Sequence, residues 1–139
     1  MNMLEAVTAV FRKYADFSGR ARRSEYWYSL LIYQIFVITY QIFAISFSVV
    51  LLESETSQIA MLNILFFFLA LFVIGTLLPM LAVQVRRLHD IDKSGWNMLW
   101  FIIPLVGFIL MIVWYCRPGT VGENRFGPDP LAPVVPEAG

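Results

Sequence analysis

The chain's only histidine, His89, stands beside Asp90 in the run Arg86-Arg87-Leu88-His89-Asp90, and its only cysteine is Cys116. A His–Asp pair can move or orient a proton, but catalysis also needs a nucleophile or a group that polarises the substrate. Nothing in the neighbouring sequence supplies one. Zinc and iron–sulfur sites need three or four Cys, His or carboxylate ligands, and these residues do not provide them. No catalytic residue, metal site or cofactor is therefore assigned, and a non-enzymatic protein is expected. An enzyme acting on lipid would have to rest on His89 and Asp90.

A second set of polar residues lies inside apolar sequence. Trp27, Gln34, Gln41 and Ser48 are spaced by seven, as are Asn63, Ala70, Leu77 and Gln84. A repeat of seven keeps residues on one helical face. Amides facing lipid are costly, so Gln34, Gln41, Asn63 and Gln84 are expected to turn inward and pair between helices. The alternative is a polar path in a small transporter or channel component. Pumps and proton relays usually carry an ionisable group within the membrane, and these segments have none.

The elements that would position these residues follow from charge. Residues Tyr26–Leu52, Thr56–Val85 and Ser94–Cys116 contain no charged residue, in a chain that is 59% hydrophobic and 14% charged. A helix crossing the hydrocarbon core needs roughly 20 apolar residues. The expected fold is all-α and polytopic, a single membrane domain of residues 1–139. An amphipathic interfacial helix over 3–17 precedes three transmembrane helices over 26–52, 58–85 and 95–116, and a Pro/Gly-rich tail follows over 117–139. In the first helix Met3, Val7, Val10, Tyr14 and Phe17 form the apolar stripe, and Ser18-Gly19 ends it. That stripe can face the membrane interface or the protein's own bundle. Pro79 removes a donor from the Gly75 carbonyl and predicts a bend. Pro104 and Gly107 predict a kink in the third span; a re-entrant hairpin is the competing form. Disorder is expected beyond Pro130.

Basic residues set orientation. Arg12, Lys13, Arg20, Arg22 and Arg23 precede the first run, the first loop has none, and Arg86, Arg87 and Lys93 occupy the second loop. Arg117 and Arg125 lie in the tail. The N-terminus and second loop are expected inside, and a kinked third span puts the C-terminus outside. Arg20, Arg22, Arg23, Arg86, Arg87 and Lys93 then form an inner-face ring, with Glu25, His89 and Asp90 among them; Glu25 can pair with Arg86 or Arg87. Such a ring suits an anionic lipid at about 1 kcal/mol per basic residue, or another membrane protein. A homo-oligomer is also considered, and no nucleic-acid partner is expected at zero net charge.

Three blocks carry a resemblance. They are Phe17-Ser18-Gly19-Arg20 through Arg23-Ser24-Glu25-Tyr26-Trp27, Arg86-Arg87-Leu88-His89-Asp90 with Lys93-Ser94-Gly95-Trp96, and Gly122-Glu123-Asn124-Arg125-Phe126-Gly127-Pro128-Asp129-Pro130. In order and spacing the chain resembles the domain-of-unknown-function family 805, the YhaH-like bacterial inner-membrane proteins. The resemblance implies a small protein of the bacterial inner membrane, and the basic-residue pattern above then puts the N-terminus of this multi-pass chain in the cytoplasm and the C-terminus in the periplasm. It implies no activity. The tail residues Gly122, Glu123, Asn124, Arg125, Phe126 and Asp129 join the site candidates. Folding them onto the inner loops would require the hairpin.

Overall fold

The computed structural model describes residues 1–51 and 54–133. Glu53 of the first loop and the end of the tail, for which disorder is expected, lie outside the described residues. Among the described residues four α-helices and one 3-10 helix follow in order: α1 (Met3–Arg12), α2 (Arg23–Leu51), α3 (Glu55–Asp90), the 3-10 helix (Gly95–Ile102) and α4 (Val106–Cys116). Two of these, α2 and α3, are long and apolar enough to cross a membrane. The protein is all-helical and polytopic.

Helix α1 begins with a capping box: the Asn2 side chain accepts from the Glu5 backbone N–H, and the Glu5 carboxylate accepts from the Asn2 backbone N–H. This satisfies two of the backbone donors that every helix start leaves free. The helix ends at Arg12, before the expected Phe17. The Asp16 carboxylate takes the Ser18 backbone N–H at 2.9 Å, and Gly19 follows at φ +73°. This local turn competes with another helical turn. Ala6 and Val10 are fully buried against the bundle, so α1 packs on the protein itself.

Pro79 leaves the Gly75 carbonyl without its helical donor. The Tyr14 hydroxyl donates to that carbonyl instead. At about 1.5 Å per residue, Gly75 stands ~30 Å along α3 from Glu55, which is the thickness of a hydrocarbon core. The contact therefore sets α1 at the level of the near membrane interface. Beyond it α3 runs on to Asp90, so the basal end of the molecule projects out of the hydrocarbon.

The third apolar run departs from the expected kinked span. It does not form one continuous helix. Ser94 caps the 3-10 helix, accepting from Trp96, and the chain then turns at Ile103-Pro104-Leu105 into α4. Pro104 cannot donate to the Trp100 carbonyl, and the Ile103 N–H takes that acceptor at 3.0 Å. Leu105 adopts φ +65°, a conformation that costs a side-chain-bearing residue about 1 kcal/mol or more. A Cβ on Gly107 would overlap the same Trp100 carbonyl, so only glycine permits so close a return.

The two ends of this hairpin meet at the base. Lys93, just before it, holds its ammonium 4.5 Å from the Trp114 ring centre near its other end. The Tyr115 ring lies 4.4 Å from that of Tyr26 at the start of α2. From there α4 reaches only ~15 Å up the bundle. The tail therefore leaves at the same end as the N-terminal flank, not at the opposite end as expected. Val10, Ala21, Tyr26, Val83, Leu88, Met111, Trp114 and Tyr115 form the buried apolar core there.

Candidate functional site

The motif residues converge at the base, where the second loop, the N-terminal flank and the tail lock together. Asp90 is the hub. Its carboxylate accepts from Arg20 Nε at 3.0 Å and from Arg87 Nη1. Its backbone carbonyl accepts from the Thr120 N–H at 2.8 Å. Arg20 reaches on to the carbonyls of Thr120 and Gly122, each at 2.5 Å. Arg87 donates to the Tyr115 carbonyl at 3.2 Å and to that of Arg117. Gly119 lies against the Asp90 carboxylate, and a Cβ there would overlap it.

A second pair stands beside this hub. Arg86 Nη2 meets Glu25 Oε1 at 3.2 Å, and the Arg86 carbonyl accepts from the Ala21 N–H at 3.0 Å. Arg86 Nε and Nη1, Ser29 Oγ and the Tyr115 hydroxyl are buried without a hydrogen-bond partner among the described residues. Arg86 and Arg87 have no solvent exposure at all, and Arg20 has 6%. The sequence places these three arginines in an accessible ring; the structure encloses them. Burial of that kind holds only when the opposite charge is buried with it, and Asp90 and Glu25 supply it.

Among the described residues the His89 ring does not bond to the Asp90 carboxylate. Its Nδ1 lies 3.1 Å from the Gly19 carbonyl, and its ring stacks on Phe126 with centres 3.8 Å apart and planes 3° from parallel. Asn124 donates to the His89 carbonyl at 2.9 Å and to the Thr120 hydroxyl at 2.8 Å. The tail turn is closed by Asn124 and Gly127, whose backbones bond each other at 3.1 and 2.9 Å. Asp129 accepts from the Leu131 and Gly122 backbone N–H groups, which hold its carboxyl below the ordinary carboxylate range. Arg125 pairs with Asp92 at 3.1 Å in the open, and Glu123 is exposed.

The remaining basic residues differ. Arg12, Lys13, Arg23 and Arg117 are exposed, and Arg22 and Lys93 are half-buried. Arg22 also holds the Pro130 carbonyl at 2.9 Å. Among the described residues no group of three or more His, Cys, Asp or Glu could hold a metal. An apolar cavity of about 150 Å³, lined by Val7, Phe11, Ser29, Phe36, Phe72 and Thr76 among others, lies between α1, α2 and α3; none of those six carries a charge.

The intramembrane stripe is also placed differently from expectation. Gln34, Gln41 and Asn63 are exposed and Gln84 is half-buried. None of the four hydrogen-bonds to another described residue, so they do not pair between helices of this chain. Residues that the sequence alone did not single out include Gly119, Thr120 and the Tyr115 carbonyl. The one signal available for them was a glycine following Arg117-Pro118, where a close approach needs no side chain.

Comparison with known proteins agrees with this architecture. The family described as "Protein of unknown function (DUF805)" matches residues 14–128. The chain is 41% identical over 121 residues to the inner membrane protein YhaH of Escherichia coli (strain K12), covering 87% of this chain and 92% of that one. It is 38% identical over 122 residues to the inner membrane protein YhaI of the same organism, covering 88% and 92%. No solved structure matches. The chain belongs to the DUF805 family and is a membrane protein.

Proposed function

We propose that this DUF805 protein is a non-enzymatic inner-membrane protein whose base lies in the cytoplasm and contacts anionic lipid headgroups through an exposed basic rim. One observation carries the reading. With the tail folded back, all ten Lys and Arg residues sit on segments at the near interface or base, and the far end between α2 and α3 has none. Such asymmetry favours a cytoplasmic base. The buried arginines are committed to their own carboxylates and carbonyls. Arg12, Lys13, Arg23 and Arg117 are exposed and can face headgroups, Arg23 keeping one bond to the Cys116 carbonyl at 3.4 Å; α1 carries Arg12, and Lys13 caps it, at the interface level.

Two measurements test this. In spheroplasts, a membrane-impermeant maleimide should label the exposed Cys116 only after the membrane is opened. Labelling of intact spheroplasts would overturn the orientation. Native mass spectrometry of the full chain from mild detergent should show retained phosphatidylglycerol or cardiolipin. Replacing Arg12, Lys13, Arg23 and Arg117 with glutamine should strip that lipid, at about 1 kcal/mol per basic residue, without changing the melting temperature. Unchanged lipid retention would remove the headgroup reading.

A further inference from the structure

The amides left unpaired in the membrane point to an interface. Tyr33 and Tyr40 of α2 face α3: the Tyr33 ring stacks on Phe72 at 5.9 Å, and the Tyr40 hydroxyl donates to the Leu65 carbonyl at 2.8 Å. Gln34 and Gln41 each follow one of these tyrosines, about 100° further round the helix. Gln34 and Gln41 therefore share one side of α2, beside the row that meets α3.

The base shows what occupies that side. Trp27, one heptad before Gln34, also follows a contact residue, Tyr26. Its Nε1 donates to the Tyr115 carbonyl of α4 at 3.3 Å, and Trp27 and Leu30 line a contact with Phe101, Phe108 and Met111. The hairpin covers this side at the base and stops at about the level of Gln34. Above it the side is bare. Measured from the far end, Gln41 lies ~15 Å along α2, Gln34 ~25 Å and Asn63 ~12 Å along α3, all within a core of about 30 Å.

From this side we infer that the chain forms a two-fold homodimer through α2, with the carboxamides at its centre. Leu31, Gln34, Ile38, Gln41 and Ile45 follow the alternating four- and three-residue steps of a coiled-coil seam, and all five are exposed. An amide has no water to bond in hydrocarbon, and the described residues of its own protomer offer these two no partner. A carboxamide is both donor and acceptor, so it is its own complement. Two copies inserted in the same sense bring Gln34 to Gln34 and Gln41 to Gln41 about an axis along the membrane normal. The two amides, one heptad apart, fix the register. This inference does not depend on the headgroup reading.

The full chain in nanodiscs is tested by counting protomers and by crosslinking. Wild type should be dimeric by light scattering. Replacing Gln34→Leu and Gln41→Leu together should raise the dimer dissociation constant tenfold or more and leave helix content unchanged. In a Cys116→Ser background, Ile38→Cys should give an oxidative dimer in native membranes. Phe43→Cys, exposed on the opposite side of α2, should not. A monomer under all conditions, a dimer indifferent to the double replacement, or Phe43→Cys crosslinking as well as Ile38→Cys would each overturn the inference. So would a complex with a different chain seated on this seam.

Discussion

The base and the upper half of the α2–α3 pair treat polar groups in opposite ways. At the base the polar groups are charged, enclosed and almost wholly paired within the chain. Higher up, the carboxamides of Gln34, Gln41 and Asn63 are neutral, exposed and unpaired among the described residues. Sequence alone suggests the reverse, an accessible basic ring and inward-turned amides. The contrast teaches that polarity near a membrane does not announce its partner. A buried ion pair must be closed by the chain that buries it, whereas an amide can wait for a second chain.

The sharpest way to break this comparison is at its hub. Asp90→Ala strands two buried guanidinium groups, Arg20 and Arg87. Removing one partner of a buried pair costs about 3–5 kcal/mol. Unfolding in detergent should show a loss of that size, while Gln41→Leu should leave the protomer's stability nearly unchanged. Equal effects of the two replacements would erase the distinction between the regions.

Next in size is the close approach of the tail. Gly119→Ala drives a methyl group into a carboxylate that two arginines hold in place. Overpacking typically costs about 1–3 kcal/mol. Here it should appear as release of the tail, with faster tryptic cleavage after Arg125 in a chain whose α2 and α3 remain protected. A tail as resistant as wild type would mean that the latch does not depend on this contact.

A third test asks whether the rule of internal pairing reaches up to α1. Tyr14→Phe leaves the Gly75 carbonyl without a donor; the contact is exposed, so the loss should be about 0.5–1.5 kcal/mol, the net worth of one hydrogen bond. Pro79→Ala gives α3 its own N–H back. The loss from Tyr14→Phe should therefore shrink toward zero in a Pro79→Ala background. A loss of the same size in both backgrounds would show that the hydroxyl is not there to serve that carbonyl.

How much of this was legible in the residues differs by element. The apolar runs declare α2 and α3 because the hydrocarbon thickness imposes a length. The polar blocks declare where the base is, and Glu25 with Arg86 was readable as a pair of opposite charges at one membrane edge. At Pro104 the residues favour a kinked span, and the structure turns back instead. A proline removes one hydrogen bond, and a kinked span and a hairpin both accommodate that. What separates them is Gly107 against the Trp100 carbonyl, together with tail contacts to Asp90 and Arg20 roughly 30 and 100 residues away in sequence. The direction of the amide stripe was hidden for a related reason. A heptad shows that Gln34 and Gln41 share a face, but only the contacts of Tyr33 and Tyr40 show which way it points.

The smallest expected effect lies at the rim of the latch. Arg125 and Asp92 form an ion pair whose side chains are 60% and 50% exposed. Pairs of that kind are worth about 0.2–1 kcal/mol, because solvent screens them and two long side chains must be held still. Arg125→Ala should therefore change stability by less than Gly119→Ala does and should lose its effect as salt is raised. The Asp90 hub, shut away from solvent, should respond little to the same salt. Equal salt sensitivity at both places would mean that water reaches the hub, and the contrast between an enclosed base and an open seam would have to be redrawn.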